Sequence, residues 1–263
     1  MIGLVTIDWV VCLLMPISQQ PLLPGHWQML QGADGPLRCW WSPVDDTSPS
    51  LGRAVLVLPE VFGVNAWVRS VADRLAGAGV PALAMPLFSR TAPDLELGYD
   101  PDALAEGRRH KDRTTVAGIL EDVAAAARWL QVQGCSRLTV VGFCFGGHAA
   151  LLAATLPQVQ VSFDFYGAGV CQGRPGGGAP SLELLPQVHG QLTCLCGTAD
   201  PLIPVGDQKQ IEAALTAEDP SGTRLRYEAL EGADHGFMCE ARSSFSPAAS
   251  ARGWQLLLES VQV

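Results

Sequence analysis

From Arg53 to the C-terminus, short continuous apolar runs alternate with segments whose apolar positions recur every three or four residues. The runs are AVLVLPE (from Ala54), VPALAMP, RLTVVGF, QVSFDFYG, QLTCLCG and LRYEALEG. Each is too short for a helix and is apolar on both faces, the pattern of strands buried in a parallel sheet. Between them, Asn65 is placed to cap a helix in which Trp67, Val71, Leu75 and Ala78 fall on one stripe. A longer helix is expected over Thr115 to Gln131, with Ile119, Val123, Ala127 and Leu130 on one face. Another is expected from Val205 to Leu215, and SPAASARGWQLLLESVQV reads as a closing helix. Ala92 to Pro101, rich in Pro, Asp and Gly, reads as loop, and helices are expected between the remaining strands. This order predicts an α/β fold: a mostly parallel central sheet with helices on both faces. Ahead of it, HWQMLQGADGPLRCWWSP reads as a hairpin turning at GADG, suited to the sheet edge. GRPGGGAP (Gly173 to Pro180) reads as a mobile loop or rim segment.

Composition narrows the function classes. Among 263 residues 48% are hydrophobic and 16% charged, so a large core is expected. A net charge of −9 leaves no basic surface for phosphate backbones, which excludes a nucleic-acid binder. Only Lys111 and Lys209 of the 17 basic residues are lysines. The eight cysteines sit largely in apolar runs and read as buried thiols in a reducing, cytoplasmic compartment rather than as a disulfide framework. No Cys/His spacing suggests zinc, and no metal or organic cofactor is implied. The apolar start MIGLVTIDWVVCLLMPIS carries Asp8 and no preceding base, so it fits neither a signal peptide nor a membrane span. Residues 1–27 are therefore read as an extension or a mis-assigned start, and 28–263 as one domain without a membrane role. Nothing in the sequence gives an oligomeric state.

The chemistry centres on VVGFCFGG. Gly142-Phe143-Cys144-Phe145-Gly146 has the G-x-nucleophile-x-G form of a strand-to-helix elbow. Such a turn pushes its central side chain above the sheet edge and needs small flanking residues. The following helix aims its N-terminus at the same spot, favouring a thiolate and an oxyanion, and the N–H of Phe145 is a candidate oxyanion donor. Asp200 in CGTADPLIP and His235 in EGADHGF each follow a predicted strand. The order Cys144, Asp200, His235 is the nucleophile–acid–base order of the α/β-hydrolase arrangement.

From about Trp40 to the C-terminus the chain resembles the dienelactone hydrolase (carboxymethylenebutenolidase) family. The resemblance rests on LPEVFGVNAWVRSVADRLAGAGVPALAMPLF, VVGFCFGG, YGAG, GTADPLIP and HGFMCEARSSFSPAASARGWQ. It implies a compact α/β hydrolase with little or no lid, acting on a small lactone or ester. It also implies that Glu60 takes the thiol proton once substrate displaces it toward the cysteine, and that the N–H of Val61 is the second oxyanion donor. Family arginines hold the substrate carboxylate. One is expected in ALAEGRRHKDRTT, where Arg108 and Arg109 are candidates; the other is expected four residues after His235, where this chain has Cys239, leaving Arg242 as the replacement. Tyr166 is a candidate pocket residue, and His148 is expected to be structural. Cys239 raises the idea of a reversible disulfide with Cys144. The activity expected is hydrolysis of a dienelactone-like lactone or activated ester through Cys144. The alternatives are a general carboxylesterase or thioesterase, and a redox-sensing protein without catalysis.

Overall fold

The computed structural model describes residues 23–45 and 52–262. The predicted leading hairpin is β1 (His26–Gln31) and β2 (Pro36–Ser42). Then come β3 (Arg53–Leu58), α1 (Ala66–Gly77), β4 (Ala82–Ala84), α2 (Pro101–Lys111), α3 (Val116–Val132), β5 (Arg137–Phe143), α4 (Phe145–Ala153) and β6 (Val159–Phe165). A 3-10 segment, Ser181–Gln187, leads to β7 (Gln191–Gly197), α5 (Val205–Glu218), β8 (Leu225–Leu230) and α6 (Pro247–Gln262). Most of the segment read as an extension, residues 1–22, lies outside the described residues; His26 and Trp27 already belong to β1.

The strands form one eight-stranded sheet in the order β1-β2-β4-β3-β5-β6-β7-β8. Strands β3 to β8 run parallel, and the hairpin joins antiparallel through β2 against β4. This is the α/β-hydrolase fold. Alternation along each strand divides the core. Val55, Val57, Val141 and Phe143 pack beneath α1 and α6, against Val68, Val71, Leu75, Trp254 and Leu257. Leu56, Leu58 and Val140 pack on the opposite face against Ile119, Val123 and Leu130 of α3 and the Ala-rich α4.

Two places depart from the sequence pattern. ALAEGRRHKDRTT, whose register no motif fixes, folds as α2. Its start is set by Asp100, whose carboxylate accepts from the N–H groups of Asp102 and Ala103, and by Pro101 in the first turn. Only Ala103 and Gly107 of α2 are buried, so it carries almost no apolar stripe to read. Between β6 and β7, where the alternating order predicts a helix, the chain makes a glycine-rich loop and a single 3-10 segment. Pro180 and Pro186 leave no length for an α-helix there.

Asn65 ties the fold to its upper edge. Its Oδ1 accepts from Val68 N at 3.2 Å as the cap of α1, while its Nδ2 donates to Leu97 O and to the Tyr99 hydroxyl, both at 3.1 Å. Asn65→Ala loses the cap and leaves the half-buried Leu97 carbonyl without this donor, which costs about 1–2 kcal/mol and lowers Tm by about 3–6 °C. Asn65→Asp retains the cap acceptor and loses less; thermal unfolding of the two variants checks the order.

Candidate active site

The elbow is built from backbone that comes too close for side chains. A Cβ on Gly142 would collide with Gly146 O, and one on Gly146 with the carbonyls of Leu58 and Pro59. Between these glycines Cys144 adopts φ 55 and ψ −118, a region L-residues avoid, and caps the N-terminus of α4. Two bonds hold it: Cys144 N donates to Phe165 O at 3.0 Å, and Cys144 O accepts from His148 N at 3.1 Å. Cys144 as a residue is half-buried, less open than the tip that the elbow motif predicts. Phe145 N, the first amide of α4, has no partner within the helix.

Asp200 sits in the turn after β7. Its Oδ1 accepts from Leu202 N at 2.7 Å, and its Oδ2 lies 2.8 Å from Nδ1 of His235, in the loop after β8. The acid is fully buried and the imidazole nearly so. His235 Nε2 is buried with no hydrogen-bond partner. Burial alone would lower the imidazole; when Cys144 is ionised, its charge and the bond to Asp200 outweigh burial and raise His235 to about 10.

Glu60 follows β3 and is 1% exposed. Its Oε1 accepts from Arg242 Nη1 at 2.7 Å, while its Oε2 is buried and unpartnered. Burial raises this carboxyl above the ordinary range although Arg242, and more weakly His235, pull it down. Arg242 is thus the arginine paired with Glu60, three residues beyond the position the family pattern suggests. Cys239, at that position, is fully buried, and burial pushes its thiol up to about 11. All seven cysteines among the described residues are free, Cys144 and Cys239 included.

Tyr166 lies at the end of β6 with φ 45, held by its N–H to Leu195 O and by Asp164, whose carboxylate accepts from Gly167 N at 2.7 Å. Its ring meets His235 edge-on at 5.2 Å, and its buried hydroxyl is unpartnered. A cavity of about 460 Å³ opens above, lined by Tyr99, Leu202, Asp234, His235, Arg242 and Ser243 among others. Val61 is buried beside Glu60, its carbonyl against Gly107 of α2.

The structure therefore brings Cys144, Asp200, His235, Glu60, Val61, Phe145, Tyr166 and Arg242 to one end of the sheet. It does not bring Arg108 or Arg109 there. Both are exposed on α2, and Arg109 pairs with Glu106 of its own helix. Sequence reasoning missed Tyr99, whose place is given by its bond to Asn65 rather than by any local motif. Among the described residues no group of three or more His, Cys, Asp or Glu side chains could hold a metal ion, and no helix is long and apolar enough to cross a membrane.

Known proteins resemble this chain in sequence and in fold. The chain is 39% identical over 204 residues to a Synechocystis protein assigned as a carboxymethylenebutenolidase, covering 76% of this chain and 82% of that one. It is 30% identical over 213 residues to the carboxymethylenebutenolidase of Rhodococcus opacus, covering 79% and 80%. A Bradyrhizobium protein assigned as a 2-oxo-3-(5-oxofuran-2-ylidene)propanoate lactonase is 32% identical over 206 residues, covering 76% and 79%. In fold, a Klebsiella pneumoniae structure assigned as a dienelactone hydrolase superposes with a TM-score of 0.80 at 24% identity, over 91% of this chain and 98% of that one. The sequence profile of the dienelactone hydrolase family matches residues 44–262, so the chain belongs to that family and is a hydrolase of small carboxylic esters or lactones.

Proposed function

We propose that this protein opens an enol lactone bearing a carboxylate, with Cys144 as nucleophile and His235, oriented by Asp200, as acid and base. The observation that carries this reading is the set of buried polar atoms around Cys144 with no partner of their own: Glu60 Oε2, His235 Nε2 and the Tyr166 hydroxyl. They feel one another's charge, Tyr166 that of Glu60 and Cys144, and His235 that of Cys144. The names of the Bradyrhizobium and Rhodococcus relatives support a lactone of this kind.

At rest Arg242 donates to Glu60 and pulls its carboxyl down against the effect of burial. A substrate carboxylate entering the cavity competes for Arg242. Glu60, buried and now without its cation, becomes the stronger base and takes the Cys144 proton. The sulfur attacks the lactone carbonyl, and the N–H groups of Phe145 and Val61 receive the oxyanion. The ring C–O bond breaks, the enolate leaves, and the Glu60 proton is returned to it. Acylation removes the negative charge on Cys144, the largest influence raising His235, so the ring can draw a proton from water, whose oxygen attacks the thioester; the C–S bond breaks and the imidazolium returns its proton to sulfur. A permanent thiolate at a helix N-terminus would be open to oxidation, and the Arg242 lock limits that exposure. The free cysteines and the net charge of −9 support a reducing, cytoplasmic setting and no nucleic-acid partner.

Cys144→Ala lowers lactone opening, followed by absorbance, by at least about 10³-fold while thermal unfolding stays cooperative; turnover equal to that of the parent overturns the reading. Arg242→Gln removes the cation that opposes protonation of Glu60, so Cys144 is alkylated by iodoacetamide roughly tenfold faster without substrate. In a Glu60→Gln background, Arg242→Gln no longer changes the alkylation rate.

A further inference from the structure

A second cavity, also about 460 Å³, is lined by Phe145, Lys111, His148, Gly169, Gln172 and Arg174 among others. It shares no lining residue with the cavity of His235 and Arg242. Each meets the elbow through a different neighbour of Cys144: one through Phe145, the next residue, and one through the imidazole beside it.

Its rim is the glycine-rich segment, and that segment is fastened at several points. His148 Nδ1 lies 3.1 Å from Ala168 O at the loop's start, and His148 Nε2 2.6 Å from Ser181 Oγ at its end. Val116 N donates to Pro175 O, Gly177 N to Arg174 O, and Arg174 Nη2 to Pro180 O. Burial, with the Lys111 charge acting in the same direction, lowers His148 to about 4, so it clamps the loop as a neutral ring. The expected structural role of His148 is this clamp.

The charge on the wall is cationic. Lys111, one of two lysines in the chain, sits 2.8 Å from Asp112. Among the described residues Arg174 pairs with Glu183 at 3.9 Å, and its Nε is buried with no hydrogen-bond partner. A buried guanidinium donor left unmade costs free energy unless something accepts from it. On a chain of net charge −9, two cations and one carboxylate around a cavity next to the elbow form a local reversal of sign.

We propose that this cavity is a second carboxylate subsite, in which Arg174 and Lys111 hold an acidic group at the opposite end of the substrate from the one taken by Arg242. The preferred substrate is then a diacid ester or lactone. The assignment rests on Cys144 being the nucleophile. It also gives the α2 region an anion-binding role through Lys111 rather than through Arg108 or Arg109.

Two measurements separate the subsite from the chemistry. The first compares mono-4-nitrophenyl glutarate, which has one free carboxylate, with the mono-4-nitrophenyl ester of tricarballylate, which has two. The protein favours the tricarballylate ester, and Lys111→Met or Arg174→Gln lowers that preference about tenfold through KM, whereas Lys111→Arg retains it. The second titrates glutarate calorimetrically into the Cys144→Ala protein, where Lys111→Met or Arg174→Gln weakens binding by a similar factor. Unchanged preference and unchanged glutarate affinity in both variants overturn the subsite. Glutarate binding that depends on Lys111 and Arg174, with no Cys144-dependent turnover of either ester, keeps the subsite and removes the nucleophile.

Discussion

No side-chain carbon fits where β5 turns into α4, and the site depends on that constraint. Gly142 and Gly146 touch backbone across the turn, and Gly147 faces the Asp164 carboxylate. The close approach forces the residue between them to φ 55. Such a conformation costs of order 1–3 kcal/mol and persists only where the surroundings over-determine it. Here β6 does so. Its last carbonyl accepts from Cys144 N, and Asp164 fixes the next turn through Gly167 N. The only other non-glycine residue with positive φ among those described, Tyr166, sits in that next turn. The two strained residues thus lie at the ends of adjacent strands, one carrying the thiol and the other packing on the imidazole.

Electrostatics then sorts the groups that this frame gathers. Two carboxylates of the site are buried at one end of the sheet, and neither could remain charged there alone. Asp200 takes His235, and Glu60 takes Arg242. Each pair is satisfied on one side only, because Glu60 Oε2 and His235 Nε2 both lack partners. The unmatched atoms belong to opposite members of the two pairs, an acceptor on one and a ring nitrogen on the other. An anion that draws on Arg242 leaves Glu60 short of its cation. The balance of the site is therefore sensitive to the charge of what enters it, and this follows from burial rather than from any motion of the chain.

Strand runs, the elbow turn and the chain order Cys144, Asp200, His235 were legible because each is a local signal. AVLVLP, RLTVVGF and QLTCLCG are strands β3, β5 and β7 with ends within a residue or two of the pattern. Cys144, Asp200 and His235 each stand just beyond a strand, so finding the strands places them. Helix α2 was not legible as an element, since it buries little and its start is set by Asp100 and Pro101 rather than by an apolar stripe. The link from β6 to β7 misleads because its length suggests a helix that its prolines forbid. Arg174 and Tyr99 had no signal at all: their significance lies in a donor without a partner and in a contact with Asn65, both created by tertiary packing.

Arg242 shows why spacing is a weaker guide than charge balance. The family pattern places a cation four residues after His235, but that residue is Cys239, which is fully buried. Beyond it the chain closes a series of tight turns: Cys239 N donates to Gly236 O, Arg242 N to Cys239 O, and Ser246 N to Phe237 O. These fold the segment back on itself, so three further residues add little distance from the imidazole. The guanidinium comes to rest against Gly236, at φ 89, where a Cβ would strike it. A buried Glu60 demands a cation, and this turn delivers one from a shifted position. The glycine next to His235 is therefore part of the site, because it makes room for the arginine that holds Glu60.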